Sequence, residues 1–507
     1  MKNLSIWILF AISPLVMAET EYKPLMPDDK SRPARSSVLL LGDGVSMDAA
    51  KALQAEMEDR ITVYAGEGAE GIADLGKWIS SDGKEILRKK KWDAIYLAPA
   101  VAPEKSAREE IEGKLRHSAG AVVWHGGGKG IASGDLVKAL LRNGEHLAKW
   151  PASEKRDPAK LLAEDGVLDN PATLPALPAE TSTVFKAEEG QWQFNLHSFI
   201  ARHDGKLWAI WSSGRKDEDS SSQFIRYATS EDGMVWSASG TMAPDPDGED
   251  GPLRWLASGL YEENGKLYGL GCLNTGGGKG AVWGNAKLHR FRWDAGKWVD
   301  EGVFGDNAMV YFPPFKVGGR DFFVWRDDKA HFHTARSTAE AGKWDVRKHP
   351  SFPPDYRMSE TGSYADADGN LHLIIRDQGK TKRLYHSISF DNGDTWTLPV
   401  KTNYPDAVSK NIAGRLKDDR FFLINNPQAS GSRDPLTISF SADGWSYGSP
   451  RILRKDAPER RYDGKFKNAR SFQYSDAMEH DGRLWVIYGT NKEDIEISSY
   501  RIADFPK

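Results

Sequence analysis

The sequence predicts two domains of different architecture, an α/β domain followed by an all-β propeller with six blades. Two repeated phrases in the second half of the chain predict the propeller, and short apolar runs alternating with helical segments predict the first domain. The chain has 507 residues, which is long enough for several domains and a large buried core. Its 49 Gly, 18 Trp and 16 Tyr residues fit a body rich in turns and aromatic strands, and aromatic rings are surfaces on which sugars stack.

The α/β domain is predicted over residues 36–150. Short apolar runs predict buried strands, and the segments around them predict helices. The strands are expected at 37–41, 61–64, 94–97 and 121–124, and the helices at 48–58 and 136–149. This alternation is typical of a parallel sheet in a flavodoxin-like domain. Residues 151–184 are expected to form a linker to the propeller, which is expected over 185–507.

The first repeated phrase is a turn with Gly followed by a strand of alternating apolar or aromatic residues. It reads His-Asp-Gly-Lys-Leu-Trp from His203 and His-Asp-Gly-Arg-Leu-Trp from His480. The six turn positions are Gly205, Gly265, Gly319, Gly369, Asp419 and Gly482. Their regular spacing predicts six units of four strands, which a β-propeller arranges radially.

The second repeated phrase ends in Trp and lies between the copies of the first. Its five copies end at Trp236, Trp298, Trp344, Trp396 and Trp445. Two markers that alternate in a constant order favour the propeller over the alternative, a β-sandwich with aromatic strand ends.

The composition restricts the location and the partners of the protein. Residues 1–18 resemble a secretory signal peptide, because Lys2 precedes a short apolar stretch and Ala18 is a small residue suited to cleavage. No later stretch is apolar over the roughly 18 residues of a membrane span. The single Cys272 excludes an internal disulfide, and the formal charge of −4 argues against nucleic-acid binding. We therefore expect a periplasmic or secreted bacterial protein without a membrane span.

The fourth Trp phrase resembles a known structural motif. Residues 389–396 read Ser-Phe-Asp-Asn-Gly-Asp-Thr-Trp, which matches the Asp-box, S-x-D-x-G-x-T-W, of sialidases and other BNR-repeat propellers. Residues 230–236 and 441–445 are similar to shortened copies. In such a turn the Asp carboxylate can accept backbone N–H groups while the Gly takes a positive φ. The resemblance therefore implies architecture, a six-bladed propeller of the sialidase type, and not chemistry.

Four further residues resemble the active site of the sialidase family in their chain order. The family pairs a Glu with an Arg one strand later, and here Glu360 precedes Arg376 by 16 residues. Arg433 precedes an Asp-box as a family Arg does, and Tyr474 begins the Tyr-Ser-Asp phrase in which the family places its nucleophile. The resemblance implies that Tyr474 is the nucleophile and Glu360 its base, with Arg376 and Arg433 on the substrate carboxylate.

These residue types suit that chemistry. A Tyr with a pKa of about 10 is a poor nucleophile unless a neighbouring base accepts its proton. Arg side chains present planar forks that bind carboxylates bidentately, and sialidases are the glycosidases that use a Tyr nucleophile. Each residue also has a structural alternative, such as an ion pair of Glu360 with Arg357 or a packed blade aromatic at Tyr474.

The chain departs from the family at two places. His197 stands where the family has its first Arg, and the family acid/base Asp is matched only by Asp217 or Asp219, without a surrounding phrase. His197 is thus either a core histidine or an acid or base of the site, because His titrates near neutral pH. Four more basic residues are candidates for an anion-binding funnel, and the alternative for each is an ordinary surface position. They are Arg254, Arg326, Lys410 and Arg415.

The first domain resembles SGNH-type hydrolases at its first strand. The phrase Gly-Asp-Gly-Val-Ser from Gly42 is similar to the family's G-D-S-x-S block, with Gly44 in place of the nucleophilic Ser. No D-x-x-H phrase follows before residue 180. We expect an inactive SGNH-like domain, with Ser46 as the alternative nucleophile.

Together these observations predict a secreted exo-glycosidase, exo-α-sialidase-like, that hydrolyses a terminal acidic sugar from glycans, with sialic acid favoured. One alternative is a polysaccharide lyase or other hydrolase acting on uronic-acid glycans, in which His197 and Tyr474 transfer protons. Another is a non-catalytic carbohydrate-binding propeller. No Cys, His, Asp and Glu cluster has the spacing of a zinc site, so we expect neither a metal nor a cofactor, and an acidic glycan as the partner.

Overall fold

The computed structural model describes residues 151, 153–246, 251–275, 286–327, 332–340, 343–349, 358–378, 381–465 and 470–506, and only short segments before residue 151. The chain divides into two compact units. One contains residues 1–159, 348–357 and 387–400, and the other contains residues 160–347, 358–386 and 401–507.

The first unit contains a sheet of six short strands. They are β1 (Ile8–Leu9), β2 (Lys23–Pro24), β3 (Ser36–Leu41), β4 (Ile61–Ala65), β5 (Ala94–Leu97) and β6 (Val122–Trp124). The order is β2-β4-β1-β3-β5-β6, and β3 pairs in parallel with β4 and with β5. Strands are therefore present at the four predicted places. The predicted helices at 48–58 and 136–149 lie outside the described residues apart from residue 51, as do Gly44, Ser46 and most of the signal peptide, so the SGNH-like domain remains a prediction.

The described strands from residue 180 onward form six antiparallel sheets, the blades of a propeller. Blade 1 contains β8 (Phe194–His203), β9 (Lys206–Gly214), β10 (Phe224–Ser230) and β11 (Gly240–Ala243). Blade 2 contains β12 (Leu253–Glu263), β13 (Lys266–Thr275), β14 (Lys287–Asp294) and β15 (Lys297–Asp306). Blade 3 contains β16 (Met309–Val310), β17 (Phe315–Val317), β18 (Arg320–Arg326), β19 (Phe332–Ser337) and β20 (Trp344–Lys348).

The remaining three blades follow the same plan. Blade 4 contains β21 (Met358–Ala365), β22 (Leu371–Asp377), β23 (Arg383–Ser389) and β24 (Val400–Pro405). Blade 5 contains β25 (Ile412–Arg415), β26 (Phe421–Asn425), β27 (Leu436–Ser441) and β28 (Gly448–Arg454). Blade 6 contains β29 (Phe472–His480), β30 (Arg483–Thr490), β31 (Asp494–Arg501) and β7 (Glu180–Phe185). The predicted six-bladed, all-β architecture is confirmed.

Both repeated phrases occupy constant places in the blades. The Gly-turn positions join the inner strand of each blade to the next strand, and all six have a positive φ: Gly205, Gly265, Gly319, Gly369, Asp419 and Gly482. The five Trp residues lie where the third strand turns to the outer strand in blades 1 to 5. Blade 6 lacks this turn because β7, from the start of the propeller sequence, supplies its outer strand. Five Trp phrases on six blades follow from that closure.

Part of the predicted linker belongs to the propeller. Strand β7 pairs antiparallel with β31, so that Thr183 faces Glu496 and Thr181 faces Ser498. Upstream, Leu162 forms an isolated bridge with Tyr447, on the outer side of blade 5. The run Thr-Ser-Thr-Val within β7 contains three β-branched residues, which favour a strand; the Pro-rich composition around it had indicated a linker.

The Asp-box turns are held by their own side chains. In the box at residues 389–396, the Ser389 hydroxyl donates to Asp391 Oδ1 at 2.8 Å, and the same oxygen accepts the Thr395 backbone N–H at 2.8 Å. Equivalent bonds join Ser230 to Asp232 at 3.1 Å and Ser441 to Asp443 at 3.0 Å. These carboxylates organise turns, as the sequence predicts.

The core lies between neighbouring blades. Between blades 1 and 2, for example, Phe199, Trp208, Ile225 and Trp255 are buried in one cluster. Each such side chain contributes about 1.5–3 kcal/mol of hydrophobic stabilisation. No helix in the described part of the chain is long and apolar enough to cross a membrane.

Candidate active site

A cavity of ≈ 440 Å³ lies at one end of the propeller axis. The inner strands of neighbouring blades contact one another around this axis. The cavity is lined by residues near the start of inner strands, such as His197 and Tyr474, by residues near the end of second strands, such as Arg376, and by loops that follow second strands. All six blades contribute to its lining. The residues on which the argument depends are His197, Glu218, Asp219, Arg326, Glu360, Arg376, Arg433, Tyr474 and Lys492.

Irregular backbone at the start of the inner strands turns side chains toward the cavity. His197 and Tyr474 have φ of 56° and 57°, values that non-Gly residues seldom adopt. Each stands in a bulge, where the pairing of β8 with β9 and of β29 with β30 changes register. Bulges re-aim side chains and are frequent beside active sites, and strained backbone is often retained where function requires it.

A hydrogen bond in the cavity joins Tyr474 to Glu360. The Tyr474 hydroxyl donates to Glu360 Oε1 at 2.6 Å, and Arg376 Nη1 donates to the Tyr474 oxygen at 2.8 Å. Arg376 Nη1 also lies 2.8 Å and 2.7 Å from the two Glu360 oxygens. Three of the four residues that the sequence grouped by chain order therefore form one hydrogen-bonded cluster.

The cluster has a defined charge state. Burial acts to raise the pKa of Glu360, but the Arg376 charge and hydrogen bonds from Ser359 and Tyr474 outweigh it and hold this pKa well below the usual range. Burial raises the pKa of Tyr474 far above its usual value, an effect that Arg376 and Arg433 only partly oppose. At neutral pH the site therefore contains a carboxylate beside a protonated phenol.

Arg433 lies in the cavity wall next to this cluster. Its guanidinium lies 5.6 Å from the centre of the Tyr474 ring, and its Nη2 donates to the Val408 carbonyl at 2.8 Å. Its Nη1 donates to the Gln473 side chain. These contacts hold the guanidinium beside Tyr474 at the cavity, the place expected for a carboxylate-binding Arg.

His197 reaches the other side of Tyr474. The two rings meet edge to face with centroids 5.2 Å apart, and His197 Nδ1 lies 3.2 Å from the Ser212 hydroxyl. Burial, together with the charge of Lys410, lowers the pKa of His197 to about 3, although Glu360 opposes the shift. His197 is thus a neutral imidazole in the cavity wall. It is neither isolated in the core nor a cation in the place of the first family Arg.

The loop after β9 brings two carboxylates to the cavity. Asp219 pairs with Arg254, and Glu218 pairs with Lys492. Burial raises the pKa of Glu218, while the Lys492 charge acts in the opposite direction. Asp217, in contrast, accepts the Lys465 backbone N–H at 2.8 Å and does not line the cavity.

The remaining basic candidates occupy different environments in the structure: one lines the cavity, two are buried outside its lining and one is exposed. Arg326, in blade 3, lines the cavity. Arg254 is 1% exposed, and its Nε donates to Asn274 at 2.7 Å. Lys410 is 2% exposed and lies between inner strands. Arg415 lies apart from the cluster, because its side chain is 41% exposed and pairs with Asp419.

Sequence reasoning missed two charged residues that line the cavity and a buried acid whose charge acts on Arg376. Glu218 and Lys492 form a pair across blades, and Asp406 is a 1% exposed carboxyl. Burial raises the pKa of Asp406 to about 7, against the opposing charges of Arg376 and Arg433. Glu218 stands between the two Asp residues considered, so its chain position was an available signal. Nothing in the local sequence distinguishes Asp406 or Lys492.

The family comparison covers blades 3 to 5 and part of blade 6. Residues 306–486 match the family model described as a BNR repeat-like domain, in agreement with the Asp-box turns. The comparison with curated proteins gives no match.

Several solved structures are similar to this chain. A sialidase has 18% identity and a TM-score of 0.48, with 70% of this chain and 35% of that chain covered. The Trypanosoma rangeli sialidase in complex with sialic acid has 15% identity and a TM-score of 0.48, with 66% and 60% covered. A protein of unknown function from Dyadobacter fermentans has 14% identity and a TM-score of 0.49, with 65% and 100% covered. The propeller assignment rests on the strand pairing described above, and the roles of the side chains rest on the geometry of the cavity.

Proposed function

We propose that the protein is an exo-acting glycoside hydrolase that removes a terminal acidic sugar from glycans, with sialic acid as the first candidate. The observation that carries the proposal is the buried Tyr474–Glu360–Arg376 cluster in a cavity with further basic residues. A Tyr that donates a hydrogen bond to a carboxylate has the nucleophile-and-base arrangement that covalent catalysis requires.

The acidic group of the sugar would bind between Arg376 and Arg433. Both guanidinium groups flank Tyr474, and Arg forks favour carboxylates over neutral groups. A sugar held there by its carboxylate has its anomeric carbon next to the Tyr474 hydroxyl when the carboxylate is attached to that carbon, as in sialic acid.

Substrate binding itself can activate the base. In the free site the Arg376 charge lowers the pKa of Glu360 and so weakens it as a base. A substrate carboxylate that takes part of the interaction with Arg376 adds negative charge next to Glu360, and this raises the Glu360 pKa. The proton of Tyr474 then has a better acceptor at the moment it is needed.

The proposed reaction conserves atoms in two steps. The Tyr474 oxygen bonds to the anomeric carbon, its proton passes to Glu360, and the bond from that carbon to the leaving oxygen breaks while an acid protonates this oxygen. Water then attacks the same carbon and gives a proton to the conjugate base of that acid, while the bond to Tyr474 breaks and the Tyr474 oxygen regains its proton from Glu360. Asp219 and Glu218, which line the cavity, are the candidates for this acid.

A fluorinated substrate analogue tests the nucleophile directly. Incubation with a 2,3-difluorosialic acid should add one sugar to the protein, and peptide mass spectrometry should locate it on Tyr474. The Tyr474→Phe variant is the matched control and should remain unmodified. A sugar on another residue would remove Tyr474 from this role, and no adduct in the presence of rapid sialoside turnover would argue against a covalent step.

A second candidate function is supported by the contact of His197 with Tyr474. A lyase for uronic-acid glycans removes the C5 proton of a uronate with a base and expels the C4 oxygen with an acid, which leaves a C4–C5 double bond. Neutral His197, 5.2 Å from the Tyr474 ring centre, can accept the first proton, and Tyr474 can supply the second. A uronic-acid polysaccharide panel followed by ultraviolet absorbance distinguishes this reaction, because a hydrolase makes no unsaturated product.

We also infer that the protein acts outside the cytoplasm, on the basis of the signal-peptide pattern in residues 1–18. Export would bring the cavity to the glycans of surfaces and secretions. Fractionation of expressing cells, with the intact mass of the exported chain, tests cleavage after Ala18.

A further inference from the structure

A second cavity, of ≈ 380 Å³, lies between blades 2 and 3. Leu288, Ala308 and Phe323 in its wall are buried, whereas Trp325 and Trp344 are only partly buried. We call it the aromatic pocket. A cavity of this size with a mainly apolar and aromatic lining is typical of a site that binds a small molecule.

The aromatic rings of the pocket are held in place by their neighbours on blade 3. Trp325 on β18 is the cross-strand partner of His333 on β19, and the two rings lie within 8° of parallel with centroids 5.8 Å apart. Trp344 on β20 meets Phe323 edge to face with centroids 5.0 Å apart. Val346, two residues further along β20, lines the same pocket and is 49% exposed. The pocket therefore presents fixed apolar surface that solvent can reach, and the C–H face of a sugar ring packs on such surface.

The polar groups of the pocket suit a ligand with hydroxyl groups. His333 Nε2 lies 3.2 Å from Asp327 Oδ2, and Asp306 and Asn307 line the pocket from the end of β15. Asp306 also pairs with Lys287, which is not part of the lining. Carboxylate, amide and imidazole groups can all bond to sugar hydroxyls. Among the residues that the structure describes in this lining none is Lys or Arg, whereas the catalytic cavity has three Arg and one Lys, so the aromatic pocket favours a neutral sugar over an acidic one.

The aromatic pocket is a neighbour of the catalytic cavity on the other face of β18. Arg326 lines the cavity, whereas Trp325 and Asp327 on either side of it line the aromatic pocket, because successive side chains of a strand point to opposite faces. On β16, Met309 is paired with Arg326 and lines the cavity, and the preceding Ala308 lines the aromatic pocket. The two sites are therefore separated by the β16–β18 pair.

We propose that the aromatic pocket is a second binding site, specific for a neutral sugar and separate from the catalytic cavity. The C–H face of the sugar would pack on Trp325 and Trp344, and its hydroxyls would bond to Asp327 and Asn307. This inference goes beyond the proposed function and does not depend on it, because a hydrolase, a lyase and a binding protein would each gain from a site that holds the neutral part of a glycan.

Saturation-transfer NMR on the purified protein tests the proposal with a panel of neutral sugars. The panel contains D-galactose, D-glucose, D-mannose, L-fucose and N-acetyl-D-glucosamine, each at about 10 mM, which nearly fills a weak site with a Kd of about 1 mM. At least one of them should bind to the wild-type protein. Trp325→Ala should raise its Kd about 10-fold or more through the loss of the stacking ring. Trp236→Ala, at a half-buried Trp of blade 1, is the matched control and should change this Kd less than about twofold.

Two further variants make the result decisive. Val346→Lys places a long charged side chain at an exposed position of the pocket and should also weaken binding, so it serves if Trp325→Ala does not fold. Arg433→Met alters only the catalytic cavity and should leave binding of the neutral sugar unchanged.

Three results would overturn the proposal: no binding of any sugar in the panel, binding that both folded pocket variants retain, or binding that Arg433→Met abolishes. A dimer that Val346→Lys dissociates would also overturn it, because the pocket would then hold a second copy of this chain. A failure to act on any acidic glycoside would instead contradict the proposed function and leave the binding of neutral sugars unaffected.

Discussion

Tyr474 and Glu360 lie 114 residues apart in the chain, on blades 6 and 4, and share a hydrogen bond of 2.6 Å. Because Arg376 donates to both, each of the three side chains fixes the other two. The hydroxyl that would attack, the carboxylate that would accept its proton and the cation that would bind substrate are therefore assembled before any ligand arrives.

Loss of the Arg376 charge should destabilise the protein strongly. Glu360 and Arg376 have side-chain exposures of 4% and 8%, and removing one partner of such a buried pair costs about 3–5 kcal/mol because the other charge is left unpaired. Arg376→Met should therefore lower the free energy of unfolding in urea by this amount. Adding Glu360→Gln to that variant should restore part of the loss. Equal stability of the wild-type protein and Arg376→Met would contradict the ion pair.

The role of Arg433 in substrate binding can be tested with Arg415 as the control. Arg433 lies beside Tyr474, whereas the Arg415 side chain is 41% exposed and pairs with Asp419. On an acidic glycoside, Arg433→Met should raise KM about 10- to 100-fold, the effect of losing a charged hydrogen bond. Arg415→Met should leave kcat and KM within about twofold of the wild type, since surface changes rarely act at a distance. Similar effects of both variants would argue against a specific carboxylate site at Arg433.

Asp406 should make stability depend on pH near neutrality. Burial raises its pKa to about 7, above the unfolded value of about 3.9. The folded protein therefore binds the proton more tightly, and this contribution to stability is present at low pH and is lost as the pH rises through 7. In the Asp406→Asn variant this loss should disappear. Thermal unfolding at pH 5 and pH 8.5 should show a smaller difference between the two pH values in the variant than in the wild-type protein, and equal differences would contradict the shift.

The Asp-box carboxylates should stabilise the fold without affecting chemistry. Asp391 accepts the Thr395 N–H at 2.8 Å and the Thr395 hydroxyl at 2.6 Å. Asp391→Ala leaves both donors without this acceptor and should cost about 1–2 kcal/mol of stability. Once folded, the variant should retain the wild-type kcat and KM. Glu189→Ala, at an exposed position, is the control and should change neither property.

Much of the fold can be predicted from the sequence because each blade repeats the same local pattern of turns and strands. Gly369 marks an inner hairpin as clearly in the chain as in the structure, where its φ is 85°. The Glu360–Arg376 contact is predictable for a similar reason, since the two residues stand on adjacent strands of one hairpin. The pairing of strand β7 is not predictable in this way, because its partner β31 lies more than 300 residues away and only the closure of the propeller brings the two strands together.

The environments of several site residues could not be predicted for the same reason, because they are set by parts of the chain that are distant in sequence. Lys410 and Arg415 are five residues apart, yet one is buried between inner strands and the other is exposed beside Asp419. A basic residue at either place looks the same in the sequence, because its environment is set by other blades. Asp406 and Lys492 were missed for this reason, as their partners come from elsewhere in the chain.

The most direct test of the central claim is the release of 4-methylumbelliferone from 4-methylumbelliferyl sialic acid by the purified protein. We expect fluorescence with the wild-type protein, a loss of about 100-fold or more in kcat with Glu360→Gln, as for a removed general base, and no release above background with Tyr474→Phe. Wild-type turnover that persists unchanged in Tyr474→Phe would contradict the proposed nucleophile, and a wild-type protein without activity on this or any other acidic glycoside would contradict the proposed function.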